Sequence, residues 1–517
     1  MLVHRLLEDS AARRPEAIAL IDGKRRVTYA QLDQLANQFA NLFRAAGVAR
    51  HDRVVIALEN SIEMVAAYLG TMKAGAVAVP LPAGPRSDRL AAAVRSCAPI
   101  AAVVDASMLA DNQAMTGVGR VFVAGRLKPG SELPTSYSAL APALAAASAE
   151  RPDVRPIDLD LAAIIYTSGS TGEPRGVMLT HRNFTTNAAS IVGYLSLQPA
   201  DRVMCVLPFY YVYGLSLLHT HLAVGGSVVI DNRFVFPNVV LRAMQEHEVT
   251  GFAGVPSTFA LLLHRSDVET WSCPSLRYVT QAGGAMASSK IQEWRARGPQ
   301  VPFYVMYGAT EAAARLTYLE PARLDDKLGS IGKAIPNVEI RVVKDDGSPA
   351  AVNEVGELVA RGANISLGYW NDPIETAQRF DRFGYRTGDL GYADEDGYLF
   401  IVGRRHDMLK LGAHRVGARE IEDVLQDFPA VLEAAVVGAP HDLLGEIAVA
   451  FVSLRDGFTA SADALEAFCR TRLAPHKVPA QFLVLPELPK LGAVGKVDKS
   501  TLRERARSLA GAPSQPA

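Results

Sequence analysis

A chain of 517 residues is long enough for at least two domains, since single hydrophobic cores stop growing near about 250–300 residues. With 49% apolar and 21% charged residues, and 53 Lys plus Arg against 54 Asp plus Glu, the composition is that of a folded soluble protein. The net charge of −1 gives no basis for nucleic acid or an anionic membrane surface as partner. Cys97, Cys205, Cys273 and Cys469 stand singly, at neither zinc nor redox spacing, and are expected to be reduced core thiols.

The N-terminus, MLVHRLLEDSAARRPEAIALIDG, interrupts its apolar residues with charges, so neither a signal peptide nor a membrane span is expected and the location is expected to be cytoplasmic. Residues 28–45 carry apolar side chains at helical spacing, DRVVIALEN reads as a short strand, SIEMVAAYLGTMKAG as a helix and AVAVPL as a strand. The alternation recurs through IAAVVD, VMCVLP, SVVID, VTGFAGVP, LRYVTQAGG and VPFYVMYG. Strands alternating with helices predict an α/β fold of mostly parallel, helix-covered sheets.

Near residue 335 the pattern becomes closely spaced strands with Asp-Gly turns, predicting a small antiparallel or barrel-like section. Beyond GRRHDMLKLGAHRVGA, a helix, two strands and another helix predict a compact α+β unit. The expected division is a large N-terminal domain over 1–404, a mobile C-terminal α+β domain over 405–505 and a disordered, small-residue tail over 506–517.

YTSGSTGEPRGV, residues 166–177, follows the apolar strand LAAIIYT, where open α/β sheets bind ligands. Gly169 and Gly172 allow backbone N–H groups to converge, Ser168, Ser170 and Thr171 add hydroxyls, and Arg175 adds a fixed charge, a set suited to phosphate. Taken alone, the run reads more readily as a solvated turn than as a site. The spacing G-x-x-x-x-G-K-[ST] is absent, and no G-x-G-x-x-G follows a strand, so neither a P-loop NTPase nor a Rossmann dehydrogenase is supported.

The same stretch resembles the signature loop of the adenylate-forming superfamily, which includes acyl-CoA synthetases, aryl-acid ligases, luciferases and peptide-synthetase adenylation domains. Further signatures follow in order: QAGGA, YGATE, YRTGDLGYADEDGYLFIVGR and LPKLGAVGKVDKSTLR. The resemblance implies that Thr167, Ser168, Gly169, Ser170, Thr171, Gly172 and Arg175 grip the phosphates of ATP, and that Gly283, Gly284 and Ala285 line the adenine pocket. By the same resemblance Tyr307, beside Gly308, stacks on adenine, Thr310 bonds the α-phosphate and Glu311 holds Mg²⁺. Asp389 and Arg404 are implied to take the ribose hydroxyls, and Lys496 to reach the reacting carboxylate and α-phosphate, with Lys490 and Lys499 as the neighbouring alternatives.

The implied reaction is carboxylate activation: MgATP and an apolar acyl or aryl acid give an acyl adenylate and pyrophosphate. The acyl group then passes to the thiol of CoA or of a carrier protein's phosphopantetheine, with AMP released. The small domain is implied to rotate between the two steps about a hinge at His406. LPFYYVYGLS lacks the Asp with which amino-acid-activating relatives hold an ammonium, so an α-amino acid is not the expected donor. Its aromatics Tyr211 and Tyr213, with Phe252 and Val255 nearby in sequence, suggest an apolar acyl or aryl group, which Tyr211, Tyr213 and Val255 are expected to contact. The chain departs from the family at Arg175 (mostly lysine), at His406 (usually Asp or Lys) and at Ala413, downstream of Lys410, where thioester-forming members commonly have glycine. Transfer to an amine is therefore the first alternative, and a non-catalytic nucleotide-binding regulator the second.

Overall fold

A computed structural model describes residues 1–84, 88–110, 112–126, 133–168, 174–411, 414–441, 445–455, 457–491 and 496–510. Two large sheets dominate the first part of the chain. One runs in the order Lys333–Ala334, Thr317–Leu319, Phe303–Tyr307, Tyr278–Gln281, Gly251–Gly254, Arg202–Cys205, Ser227–Ile230, Ile18–Asp22, Arg25–Thr28. Its interior pairings are parallel and its two edges antiparallel. The other runs Tyr137–Ala139, Arg120–Ala124, Ala101–Asp105, Arg53–Ala57, Val77–Pro80, Leu161–Ser168, Pro174–Thr180, with only the last pairing antiparallel. Strands covered on both faces need no polar side, which is why SVVI and VAVP are buried throughout.

A single core joins the two sheets: Leu20, Val203 and Val228 from one and Val54, Ile56 and Ala78 from the other pack with helices Tyr29–Ala45, Ile62–Lys73, His181–Leu195 and Val212–Val224. The helix Val212–Val224 is apolar nearly all round, as a helix enclosed between layers must be. Thr180 caps His181–Leu195 through a reciprocal pair with Asn183: the Asn183 N–H donates to Thr180 Oγ1 (3.2 Å) and the Thr180 N–H to Asn183 Oδ1 (2.8 Å). The Asn183 amide also donates to the carbonyls of Ala363 and Ile365, each at 2.8 Å, tying this helix to a third, antiparallel sheet. That sheet, built from Val338–Val343, Gly356–Gly362, Phe380–Asp381, Gly384–Ala393 and Leu399–Arg404, is the small antiparallel section expected from the Asp-Gly turns.

Past Arg404 the strands Val431–His441, Gly445–Leu454 and Gln481–Leu485 make a separate sheet. Side chains alternate across it. Ala434, Val436, Ala450 and Val452 face the helices Ala418–Gln426 and Ala462–Arg470, whereas Ala435, Val437, Val449 and Phe451 face Lys499–Ala510. The latter helix buries Ala506 at 1% exposure, so residues 506–510, expected in the tail, are helical because an apolar sheet face has to be covered. The rest of that tail, 511–517, lies outside the described residues. All four cysteines are buried and free, and burial pushes the Cys205 thiol up to about 12. Among the described residues no helix is long and apolar enough to cross a membrane.

Candidate active site

The strand Phe303–Tyr307 ends in a tight return. After Gly308, a 3₁₀ turn over Thr310–Ala312 leads through Ala313 (φ 54°) and Ala314 (φ 119°), and the Leu316 N–H comes back to the Tyr307 carbonyl at 2.9 Å. A Cβ at Gly308 would sit 1.8 Å from the Ala314 carbonyl oxygen, so only glycine permits this return. Two buried amides hold the turn: Asn187 and Asn364 each donate to the carbonyl of Arg315, at 3.0 and 2.9 Å, and both also reach the carbonyl of Ala312. Left-handed backbone at non-glycine residues costs on the order of 1–3 kcal/mol each and persists only where the surroundings over-determine it.

Side chains expected at a nucleotide site meet around this turn. The Tyr307 hydroxyl donates to Asp389 Oδ2 at 2.6 Å, and Arg404 Nε donates to Oδ1 of the same carboxylate at 3.2 Å. Asp389 and Arg404 are direct cross-strand partners, so the register of the antiparallel sheet makes the pair. Burial, and then the neighbouring Asp389 charge, push the Tyr307 phenol well above its ordinary range, keeping it a neutral donor. Glu311, on the turn itself, accepts the Tyr369 hydroxyl on Oε1 at 2.7 Å, while its carbonyl accepts the Ser366 N–H at 2.8 Å. Burial and the Glu311 carboxylate likewise push the Tyr369 phenol up. Among the described residues no group of three or more His, Cys, Asp and Glu is placed to hold a metal. A single oriented carboxylate suits Mg²⁺, which takes one or two protein oxygens and leaves the rest to substrate phosphates and water.

Gly283, Gly284 and Ala285 are exposed, and Gly283 has a positive φ of 81°. A Cβ there would lie 3.0 Å from Val255 Cγ1 and 3.9 Å from Tyr213 Cδ1, so the bare backbone of this segment, Val255 and Tyr213 are neighbours. The Tyr213 hydroxyl contacts Thr280 Oγ1 at 3.0 Å. Tyr211, just before the helix Val212–Val224, is half-buried with its ring 4.6 Å from that of Tyr210. Phe252 does not join them: it packs in a different core with Phe234 and Phe259, because alternate residues of a strand face opposite sides.

Leu161–Ser168 pairs antiparallel with Pro174–Thr180, placing Thr167 opposite Arg175, so Arg175 stands in a strand. Gly169, Ser170, Thr171 and Gly172 lie outside the described residues, and Ser168 is described at the backbone only. Arg175 donates from Nη1 to Glu375 Oε1 at 2.9 Å, and its Nε lies 3.8 Å from Asp372. Both acids belong to a short helical segment, with Glu375 inside Pro373–Arg379 and Asp372 capping it. The phosphate-gripping guanidinium expected from the sequence is thus already ion-paired.

In the C-terminal part, Lys410 is exposed on a hairpin of Met408–Leu411 with His414–Gly417, its N–H donating to Glu446 Oε2 at 2.5 Å. His406, in the turn Arg405–Asp407, and Lys496, opposite Leu491, are described at the backbone only, and Ala413 lies outside the described residues. Lys490 pairs with Glu433, and Lys499 lies 2.6 Å from Glu422. Sequence reading missed Tyr369, Asp372, Glu375 and Arg315; the first three carry no local signal, since their partners lie 58 to 200 residues away.

The chain belongs to the AMP-binding enzyme family: residues 7–370 match its family model and residues 420–496 match the AMP-binding enzyme C-terminal domain. It is 32% identical to 2-succinylbenzoate–CoA ligase of Geobacillus kaustophilus (strain HTA426), over 94% of this chain and 95% of that one. The structure of the anthranilate CoA ligase AuaEII in complex with anthranoyl-AMP covers 99% of this chain, which covers 98% of it, at a TM-score of 0.91 and 25% identity. O-succinylbenzoate coenzyme A synthetase of Bacillus subtilis, solved with ATP and magnesium ion, is similar at a TM-score of 0.85 and 29% identity, over 97% and 98% of the two chains. The family expected from YTSGSTGEPRGV and YGATE is therefore the one found.

Proposed function

We propose that the protein activates an acyl or aryl carboxylic acid with MgATP as its acyl adenylate and then passes the acyl group to the thiol of CoA. The observation that carries this reading is the cluster of Tyr307, Asp389, Arg404, Glu311 and Tyr369 around one strained turn, together with the exposed small-residue segment Gly283, Gly284 and Ala285. Asp389 retains lone pairs for ribose O–H groups beyond the two donors it already accepts. Glu311, its orientation fixed by Tyr369, is the carboxylate that would hold Mg²⁺, which supplies neutralisation of phosphate charge. Thr310, on the same turn, stands beside it to bond the α-phosphate.

Lys496 is the cation assigned to the reacting carboxylate, supported by the ion pairs that already engage its neighbours Lys490 and Lys499. Its ammonium would offset the negative charge that grows as the carboxylate oxygen attacks phosphorus and pyrophosphate departs. Arg175 is assigned to the departing phosphates, with Glu375 as the carboxylate it leaves or shares. The hinge at His406, between a domain ending at 404 and one beginning at 405, completes the two-step reading.

CoA is the acceptor favoured by the similarity to named CoA ligases. Transfer to a panel of CoA, a phosphopantetheinyl carrier and amino acids, read by mass spectrometry, tests it. A CoA thioester is expected; an amide as the sole product would replace the acceptor while leaving the activation step standing.

A further inference from the structure

Arg315, at the end of the strained turn that carries Glu311, is 2% exposed and the bulkiest of the fully buried side chains. Its guanidinium lies 5.0 Å over the Tyr213 ring, yet neither Nε nor Nη1 has a hydrogen-bond partner, and among the described residues no carboxylate is ion-paired with it. Tyr194 is the other aromatic wall: its ring stacks on Tyr318 at 4.1 Å, and burial raises its phenol while the charge of Arg315 and a hydrogen bond to it pull the other way. A guanidinium stays protonated in a folded protein, and a face-on aromatic contact replaces only part of the solvation it loses. The neighbourhood is therefore one anion short.

One sequence separation and two contacts connect this charge to the site. Arg315 follows Glu311 by four positions, Tyr213 lies under its guanidinium, and Tyr213 also borders Gly283 at the exposed backbone. The pair of asparagines that clamps the turn fixes Arg315 by its own carbonyl, so strain and two buried amides are spent on holding an arginine in an aromatic interior.

We infer that the acid activated by this protein carries a second carboxylate, at the end remote from the reacting one, which pairs with Arg315 across a body lying against Tyr213. The inference rests on the acid-activation reading above and narrows its substrate from any acyl or aryl acid to a dicarboxylate. It also replaces the wholly apolar acyl pocket expected from the sequence with one that has an apolar wall and a cationic end.

The test is acid-dependent exchange of labelled pyrophosphate into ATP for matched pairs on one skeleton: hexanoate against adipate, octanoate against suberate, and phenylacetate against 4-carboxyphenylacetate. Wild type, Arg315→Met and Arg315→Lys are compared. At least one diacid should exceed its monoacid by about tenfold or more in kcat/KM in the wild type, the gain lying in KM. Arg315→Met should abolish or invert that preference and improve use of the monoacid, while Arg315→Lys should keep part of it. Thermal unfolding distinguishes a structural role: a methionine is expected to hold or raise Tm, whereas a lower Tm with an unchanged diacid preference would overturn the inference. Should Arg315→Met not fold, the wild-type pairs and Arg315→Lys decide. Exchange with monoacids at equal or better efficiency in every pair overturns the second carboxylate alone; no exchange with any acid overturns the activation reading itself.

Discussion

Arg175 and Arg315 are two arginines whose electrostatic situations are opposite. Arg175 is partly exposed on a strand edge and finds Glu375 at 2.9 Å and Asp372 at 3.8 Å. Arg315 is buried over the face of Tyr213, and among the described residues no carboxylate is ion-paired with it. A cation with a resident carboxylate can release and recapture a transient anion at little cost, because each state is paired. A buried cation without one favours whichever ligand brings the missing charge. If Arg175 meets the phosphates and Arg315 the acid, as proposed, the phosphate side is arranged for turnover of its ligand and the acyl side for choosing among acids.

The variants that break this contrast differ in size. Glu311→Gln removes the carboxylate proposed to hold Mg²⁺ and should slow adenylation about 10²-fold. Single-turnover formation of the adenylate reads this, and transfer from preformed adenylate should change far less. Next comes the loss of diacid preference in Arg315→Met, about tenfold. Arg175→Ala, which would delete the proposed charge-assisted contact to the leaving phosphates, should slow adenylation by about tenfold or somewhat less and barely touch the acceptor step. The smallest effect belongs to Glu375→Gln, which leaves Arg175 without its strongest competitor for phosphate. Product inhibition by pyrophosphate should then tighten by about two- to fivefold, measured as a lower Ki. Weaker inhibition in that variant would mean that Glu375 positions Arg175 rather than competing for it.

What the sequence disclosed follows from how local each feature is. Tyr307, Gly308, Thr310 and Glu311 stand on one contiguous turn, and Asp389 and Arg404 on adjoining strands joined by a recognisable Asp-Gly turn, so short motifs carried them. The alternation of apolar strand and helix likewise carried the two sheets. It did not show that Ile18–Asp22 joins the sheet of Ser227–Ile230, because that pairing closes across some two hundred intervening residues. Nor did it show that Pro174–Thr180 pairs antiparallel with Leu161–Ser168, since a strand can leave a sheet into either another strand or a helix. Arg315 was hidden for a different reason. In EAAARL an arginine reads as an exposed helical residue, and its burial depends on the positive φ of Ala313 and Ala314 and on amides from Asn187 and Asn364. Phe252 failed in the reverse sense, its sequence neighbourhood to Val255 concealing that the strand turns it toward another core.

The activation reading is tested most directly by pyrophosphate exchange into ATP, with and without a broad set of carboxylic acids, on the wild type and on Lys496→Ala. Exchange should require an added acid and should fall by about 10²-fold or more in Lys496→Ala. A protein that binds ATP but shows no acid-dependent exchange across the whole set, or one whose exchange is undiminished in Lys496→Ala, would contradict it.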